Sequence, residues 1–94
     1  MLNPGQIETA RVAVWLLDRA GGSVGAVAVE PGALGAQCGL AADTARRELA
    51  RLAAQGYASI ERRAGMFWCA PTAAGRAPLG AYALAFAAAM LGVK

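Results

Sequence analysis

Leu34-Gly35-Ala36-Gln37-Cys38-Gly39-Leu40-Ala41-Ala42-Asp43-Thr44-Ala45-Arg46-Arg47-Glu48-Leu49-Ala50-Arg51-Leu52-Ala53-Ala54-Gln55-Gly56-Tyr57 is the stretch on which the fold turns. Ala45, Leu49 and Leu52 recur at i, i+4 and i+7, while Asp43, Arg46, Arg47, Glu48 and Arg51 occupy the other faces. That spacing predicts an amphipathic helix over 41–55, ended by Gly56. Just upstream, Pro31 suits a first helical turn, so 31–38 reads as a short helix broken by Gly39. Two helices joined by a tight glycine turn are expected.

Towards the N-terminus, 7–20 places Ile7, Ala10, Val14 and Leu17 on one stripe with Val12, Trp15 and Leu16 beside it, a helix with a wide apolar face that Gly21-Gly22 ends. Val24, Val27 and Val29 then mark a short strand over 24–29 that Pro31 bars from continuing. Towards the C-terminus, 57–62 and 66–70 are rich in strand formers and are joined by Arg63-Ala64-Gly65, which predicts a β-hairpin with an arginine-bearing tip. Pro71-Thr72-Ala73-Ala74-Gly75 breaks the second strand and leads into a last helix, 79–93, with no charged side chain before Lys94. The expected fold class is mainly α with a small β-hairpin and an extra apolar C-terminal helix.

Ninety-four residues, 57% of them hydrophobic, suffice for one core but not for two. The alanine and glycine excess is interleaved with Leu, Val and Arg at helical spacing, a compositional bias and no repeat. With no histidine and only Cys38 and Cys69, the usual zinc-finger ligand set is missing, and no metal or cofactor is expected. Both thiols sit in apolar sequence, as buried free cysteines of a reducing compartment do. Residues 1–6 lack the basic and apolar regions of a secretory signal, so the expected location is the cytoplasm.

The net charge of +3 is unevenly spread. Before Arg46, Arg11 and Arg19 face Glu8, Asp18, Glu30 and Asp43; from Arg46 to Arg76, six arginines face only Glu48 and Glu61. Every cation in that second stretch is arginine, whose fork fits phosphate oxygens and guanine edges.

The element order of helix, short strand, helix, turn, helix and hairpin is that of a winged helix-turn-helix domain. The run from Leu34 to Tyr57 resembles the bacterial winged-helix pattern in which a short helix, a glycine turn and an Arg-rich helix end in Leu-x-x-x-Gly-aromatic. Pro71-Thr72-Ala73-Ala74-Gly75-Arg76 resembles the Leu-Thr-x-x-Gly-Arg segment that closes the wing in regulators of the multiple-antibiotic-resistance (MarR-like) type. The resemblance covers about 7–76. It implies a winged helix-turn-helix domain over 1–76, a C-terminal dimerisation helix over 77–94, and a dimeric transcription regulator of double-stranded DNA, most readily a repressor. One departure is Ala41, where the family carries a Ser or Thr that caps the Arg-rich helix.

A helix seated in the major groove needs an apolar back and a polar front. Ala45, Leu49 and Leu52 supply the back. Carried over by position, Ala42, Asp43, Thr44 and Arg46 or Arg47 approach base edges, while Arg51 and the hairpin's Arg62 and Arg63 meet phosphates, wing arginines of this superfamily tracking the minor groove. The plainer reading of Arg46, Arg47 and Arg51 is a solvated face with Glu48 as local partner; hairpin arginines directly after the helix tip the balance to DNA. Tyr57, Phe67 and Trp68 are expected in the core.

The last helix is apolar nearly all round, with Tyr82, Phe86, Met90 and Val93 on one stripe and Leu84 and Leu91 on another, so it requires a cover. The 17-residue uncharged run 77–93 contains Pro78, Gly80 and Gly92 and falls short of a span of about 20 residues, so a homodimer contact through Tyr82, Phe86, Met90 and Val93, with Trp15 either at that contact or in the core, is expected over a membrane anchor. The carboxylates are scattered and no phosphate-binding glycine loop occurs, so no enzyme is expected. The alternative reading is a winged-helix protein-protein interaction module without DNA binding, which the modest net charge and the short side chains of Ala42 and Ala50 favour.

Overall fold

Asn3 and Gln6 start the first helix by exchanging hydrogen bonds: the Gln6 N–H donates to Asn3 Oδ1 (2.8 Å) and the Asn3 N–H to Gln6 Oε1 (2.9 Å). This is a capping box with Pro4 at the first helical position, and it moves the helix start three residues ahead of the expected Ile7. In the computed structural model, which describes residues 3–20 and 26–92, α1 (Pro4–Ala20) is followed by β1 (Val27–Val29), α2 (Pro31–Cys38), α3 (Ala42–Ala54), β2 (Ala58–Arg63), β3 (Met66–Pro71) and α4 (Arg76–Met90). The expected stop at Gly21-Gly22, Val24 at the start of the expected strand, and Val93 lie outside the described residues.

Helix α2 forms over the expected residues, with Pro31 in its first turn and Gly39 ending it. A Cβ on Gly35 would stand 2.7 Å from the Leu40 carbonyl oxygen and 2.8 Å from Ala42 Cα, so this contact between α2 and the start of α3 closes only over a residue without a side chain. Ala41 is the N-cap of α3 and offers no side-chain acceptor, as expected from the missing Ser or Thr.

β2 and β3 pair antiparallel from Ala58↔Pro71 to Arg63↔Met66, so Arg63, expected in the turn, and Pro71, expected to break the strand, are instead the paired strand ends, and the two-residue turn Ala64-Gly65 joins the strands with φ of 51° and 76°. Positive φ at both positions is the turn whose twist matches a hairpin. Ala64 is the strained member, since a left-handed L-residue with a Cβ costs about 1–2 kcal/mol. Ala64→Asn, the favoured partner of glycine in such turns, is expected to raise stability by about 1 kcal/mol; an unchanged urea midpoint would contradict the strain. β1 adds on the far side of β3, pairing Val27↔Cys69, Ala28↔Trp68 and Val29↔Phe67, so the expected hairpin is part of a three-stranded sheet of order β1-β3-β2.

Alternation along the strands puts Val29, Ala58 and Cys69 in the core, with Val27, Ile60 and Phe67 packed against it. Leu16 and Val12 of α1, Leu34 of α2, Leu49 and Leu52 of α3 and Leu79 of α4 complete that core. The buried side of α1 is centred on Val12, Ala13 and Leu16, whereas Ile7, Val14 and Leu17, on the stripe expected to lead, are half-buried at its margins. Leu79 is 0% exposed, so α4 starts as part of the same core as the rest of the chain.

The link between hairpin and α4 doubles as a clasp on the end of α3. Thr72 donates its backbone N–H to the Tyr57 carbonyl (3.1 Å) and its hydroxyl to the Gly56 carbonyl (2.6 Å), and its Oγ1 accepts from the Gly75 N–H (2.9 Å). Gly75 presses so closely on Tyr57 that a Cβ there would fall 1.8 Å from the Tyr57 carbonyl oxygen. The Leu-x-x-x-Gly-Tyr and Thr-x-x-Gly segments are thus two halves of one contact.

Cys38 and Cys69 are free and buried. Burial, with a smaller contribution from Cys69 on Cys38, pushes each thiol from an ordinary 9.0 up to about 11. An unfolded chain loses these protons first, so stability is complete below about pH 9 and is lost as pH rises towards about 11, by about 1.4 kcal/mol per pH unit per thiol. Urea unfolding at about pH 8 and about pH 10 checks this, with the midpoint expected to fall and Cys38→Ala to lessen the fall.

Candidate nucleic-acid interface

Burial divides α3 sharply. Ala45, Leu49 and Leu52 are 0, 1 and 0% exposed, whereas Ala42, Asp43, Arg46, Arg47, Ala50 and Arg51 are exposed and Thr44 is half-buried. The helix therefore presents an arginine-rich front over an apolar back, and it packs against β2.

Glu48 departs from expectation. It does not join the solvated face: at 1% exposed it belongs to the buried side, on the same surface as Ala45, Leu49 and Leu52 at i−3, i+1 and i+4. Its Oε2 accepts from the Thr9 hydroxyl of α1 at 3.0 Å and lies 3.5 Å from Arg51 Nη1. Thr9 Oγ1 is also 3.0 Å from the Gly5 carbonyl, but it has one proton, and the charged acceptor makes the stronger bond. A buried carboxylate unpartnered is costly, so this contact fixes how α3 sits on α1. The helical position of Glu48 relative to Ala45 and Leu52 was the sequence signal for it.

The arginines are held differently. Arg46 pairs with Asp43 one turn earlier, Arg51 with the buried Glu48, and Arg63 with Glu61 at 3.2 Å, while Arg47 takes part in none of these pairs. Arg62 and Arg63, expected to act together, lie on opposite faces of β2 because side chains alternate along a strand. The Arg62 guanidinium stands 5.8 Å from the Phe67 ring centroid on the core side, and the Arg63 guanidinium 4.8 Å from the Trp68 ring on the outer side. Trp68 is half-buried beneath Arg63 and its Nε1 is buried without an acceptor, so it is not the core residue expected; Tyr57 and Phe67 do pack on the core.

The apolar face of α4 also sorts differently from expectation. Trp15 is 6% exposed in the core of its own chain and donates its Nε1–H to Gln37 Oε1 at 2.9 Å, which withdraws it from the expected dimer contacts. Tyr82 and Phe86 are half-buried and turned inward, Tyr82 against the core and Phe86 under the Arg11 guanidinium at 5.3 Å. Among the described residues, the large apolar side chains left in water are Leu84 (74%), Met90 (56%) and Leu91 (78%). Nearer the start of α4 a shallow groove of about 380 Å³ is lined by Tyr57, Pro78, Ala81, Tyr82 and Ala85. Nor is α4 free of charge throughout: it begins at Arg76, three residues before the expected start.

Among the described residues no helix is long and apolar enough to cross a membrane, and no three His, Cys, Asp or Glu side chains gather as a metal site. Comparison with protein-family models, curated proteins and solved structures returns no match. The reading of this surface rests on the chain's own residues.

Proposed function

We propose that the chain is a cytoplasmic winged helix-turn-helix protein that binds double-stranded DNA as a homodimer and regulates transcription, acting as a repressor. In this reading α3 is the recognition helix in the major groove and the β2–β3 hairpin is the wing. The observation that carries it is the division of α3: a back buried to within 1% exposure and a front with Arg46, Arg47 and Arg51 in water, on a helix packed against a strand that ends in Arg62 and Arg63. Ala42, Asp43 and Thr44, at the leading end of α3, are the further residues assigned to DNA. No enzymatic role is proposed.

Fluorescence anisotropy with labelled genomic duplexes tests it. Binding is expected to weaken linearly in log Kobs against log salt, with a slope of about −0.9 per phosphate neutralised. No binding at low salt would reject DNA as the ligand. Arg47→Ala and Arg63→Ala are each expected to weaken all sequences alike and to reduce that slope by about one; a loss confined to one sequence would reassign the residue to base reading.

The homodimer part of the proposal rests on Leu84, Met90 and Leu91, which stay in water on a helix without a charged side chain from Ala77 to Gly92. A two-fold pair would carry its recognition helices to successive major grooves and select a palindromic site. A second reading, a protein-interaction module, draws on the three ion pairs that mute the arginine field; it predicts no salt-dependent binding to any duplex.

A further inference from the structure

The way each α3 arginine is restrained distinguishes the three. Arg51 is tied to a carboxylate that is itself buried, Arg47 has no ion pair among the described residues, and Arg46 is tied to Asp43, the second residue of α3. We infer that Asp43 is a positioning residue for sequence recognition: it holds the Arg46 guanidinium so that its fork meets a guanine edge in the major groove. The inference rests on the DNA-binding reading above and names the base which that interface selects.

Asp43 has 88% of its side chain exposed at the leading end of α3, where a bare carboxylate would repel the phosphates of any duplex. Paired with Arg46, its charge is balanced locally and it becomes a brace. A guanidinium carries five N–H donors in a planar fork. The contact to Asp43 engages Nη2 on one side and leaves the second Nη2 proton and those of Nη1 directed elsewhere. Two parallel donors match guanine, whose N7 and O6 are the one pair of adjacent acceptors on a base edge in that groove. The guanidinium remains about half in solvent, with 48% of the side chain exposed, so the pair does not hide it from a ligand. Arg47, exposed and in none of these ion pairs, suits a phosphate, which accepts from donors in many directions. Ala42 and Ala50, exposed on the same front, carry no hydrogen-bond donor that could compete with Arg46 for a guanine edge.

The test is selection of bound duplexes from random DNA, followed by anisotropy titration, using the whole protein and its Asp43→Ala, Arg46→Ala and doubly substituted forms. Both side chains are exposed, so the variants are expected to fold, and circular dichroism checks that they do. The unaltered protein should enrich sites containing a defined G·C pair. Asp43→Ala should reduce preference for that pair about tenfold or more, while its affinity for unselected duplex at low salt holds or rises. The double variant should discriminate no worse than Arg46→Ala alone, because Asp43 acts through Arg46. If Asp43→Ala keeps the selected sequence, or if the two losses add, the bracing role is overturned and DNA binding stands. If the unaltered protein binds no duplex at low salt, both readings fall.

Discussion

Gly75→Ala is expected to lower the stability of this protein by about 3 kcal/mol or more, a large part of what a domain of this size possesses. The added methyl carbon would sit 1.8 Å from the Tyr57 carbonyl oxygen, with the Tyr57 carbonyl carbon at 2.5 Å and its Cα at 2.6 Å. A flexible side chain could turn away from such an overlap, but these are backbone atoms already committed. The Tyr57 carbonyl accepts the Thr72 N–H, and the Tyr57 N–H donates to Leu52 at the end of α3. Relief requires that the clasp between α3 and the start of α4 open, exposing Leu79 and freeing carbonyls that would then lack partners. Urea unfolding followed by circular dichroism measures the loss, and a midpoint within experimental error of the parent would show that the backbone shifts without penalty. Gly80→Ala serves as the control, since a Cβ there meets nothing within 4 Å; it is expected to be neutral or slightly stabilising, as alanine favours a helix interior over glycine by about 1 kcal/mol.

Leu84→Asp is expected to abolish the proposed homodimer while leaving the monomer folded. Leu84 is 74% exposed, so its removal takes little from the core of its own chain. In a two-fold interface the substitution occurs twice, and burying each unpaired carboxylate in an apolar contact costs several kcal/mol. Sedimentation should then show a single chain, and affinity for a two-half-site duplex should fall about a hundredfold or more as the second recognition helix loses its tether. A dimer that persists in Leu84→Asp would remove α4 from the interface. Phe86→Asp, at a neighbouring position, separates the two effects: Phe86 lies half-buried under Arg11, so its replacement is expected to destabilise the chain itself. The apolar stripe of Tyr82, Phe86 and Met90 looks like an interface in the sequence, but Tyr82 packs on the core and Phe86 lies under Arg11, which leaves Met90 alone of the three in water.

The candidate site was legible to differing depths. The exposed arginines of α3 and its buried Ala45, Leu49 and Leu52 followed from spacing, because a helix of known period assigns each residue to a face once one face is apolar. Glu48 belongs by residue type with the charged face but by position with the apolar side, and the Thr9 hydroxyl that makes its burial tolerable comes from a helix 39 residues away in sequence. The capping box of Asn3 and Gln6 was equally present in the sequence, four residues of local chemistry that set the start of α1. The opposed faces of Arg62 and Arg63 also followed from the strand period alone.

By itself, then, the sequence determined which segments form helices and the hairpin, the amphipathic division of α3 and the clustering of arginine, since each depends on hydrogen bonds and side-chain periods within a few residues. Only the tertiary structure decided that β1 joins β3, that Trp15 serves the core of its own chain, that Thr72 and Gly75 clasp the end of α3, and which side of α4 stays in water. Those outcomes depend on which surfaces meet across long stretches of chain. An alanine-rich helix, apolar on every side, carries no pattern that states which face its neighbours will take.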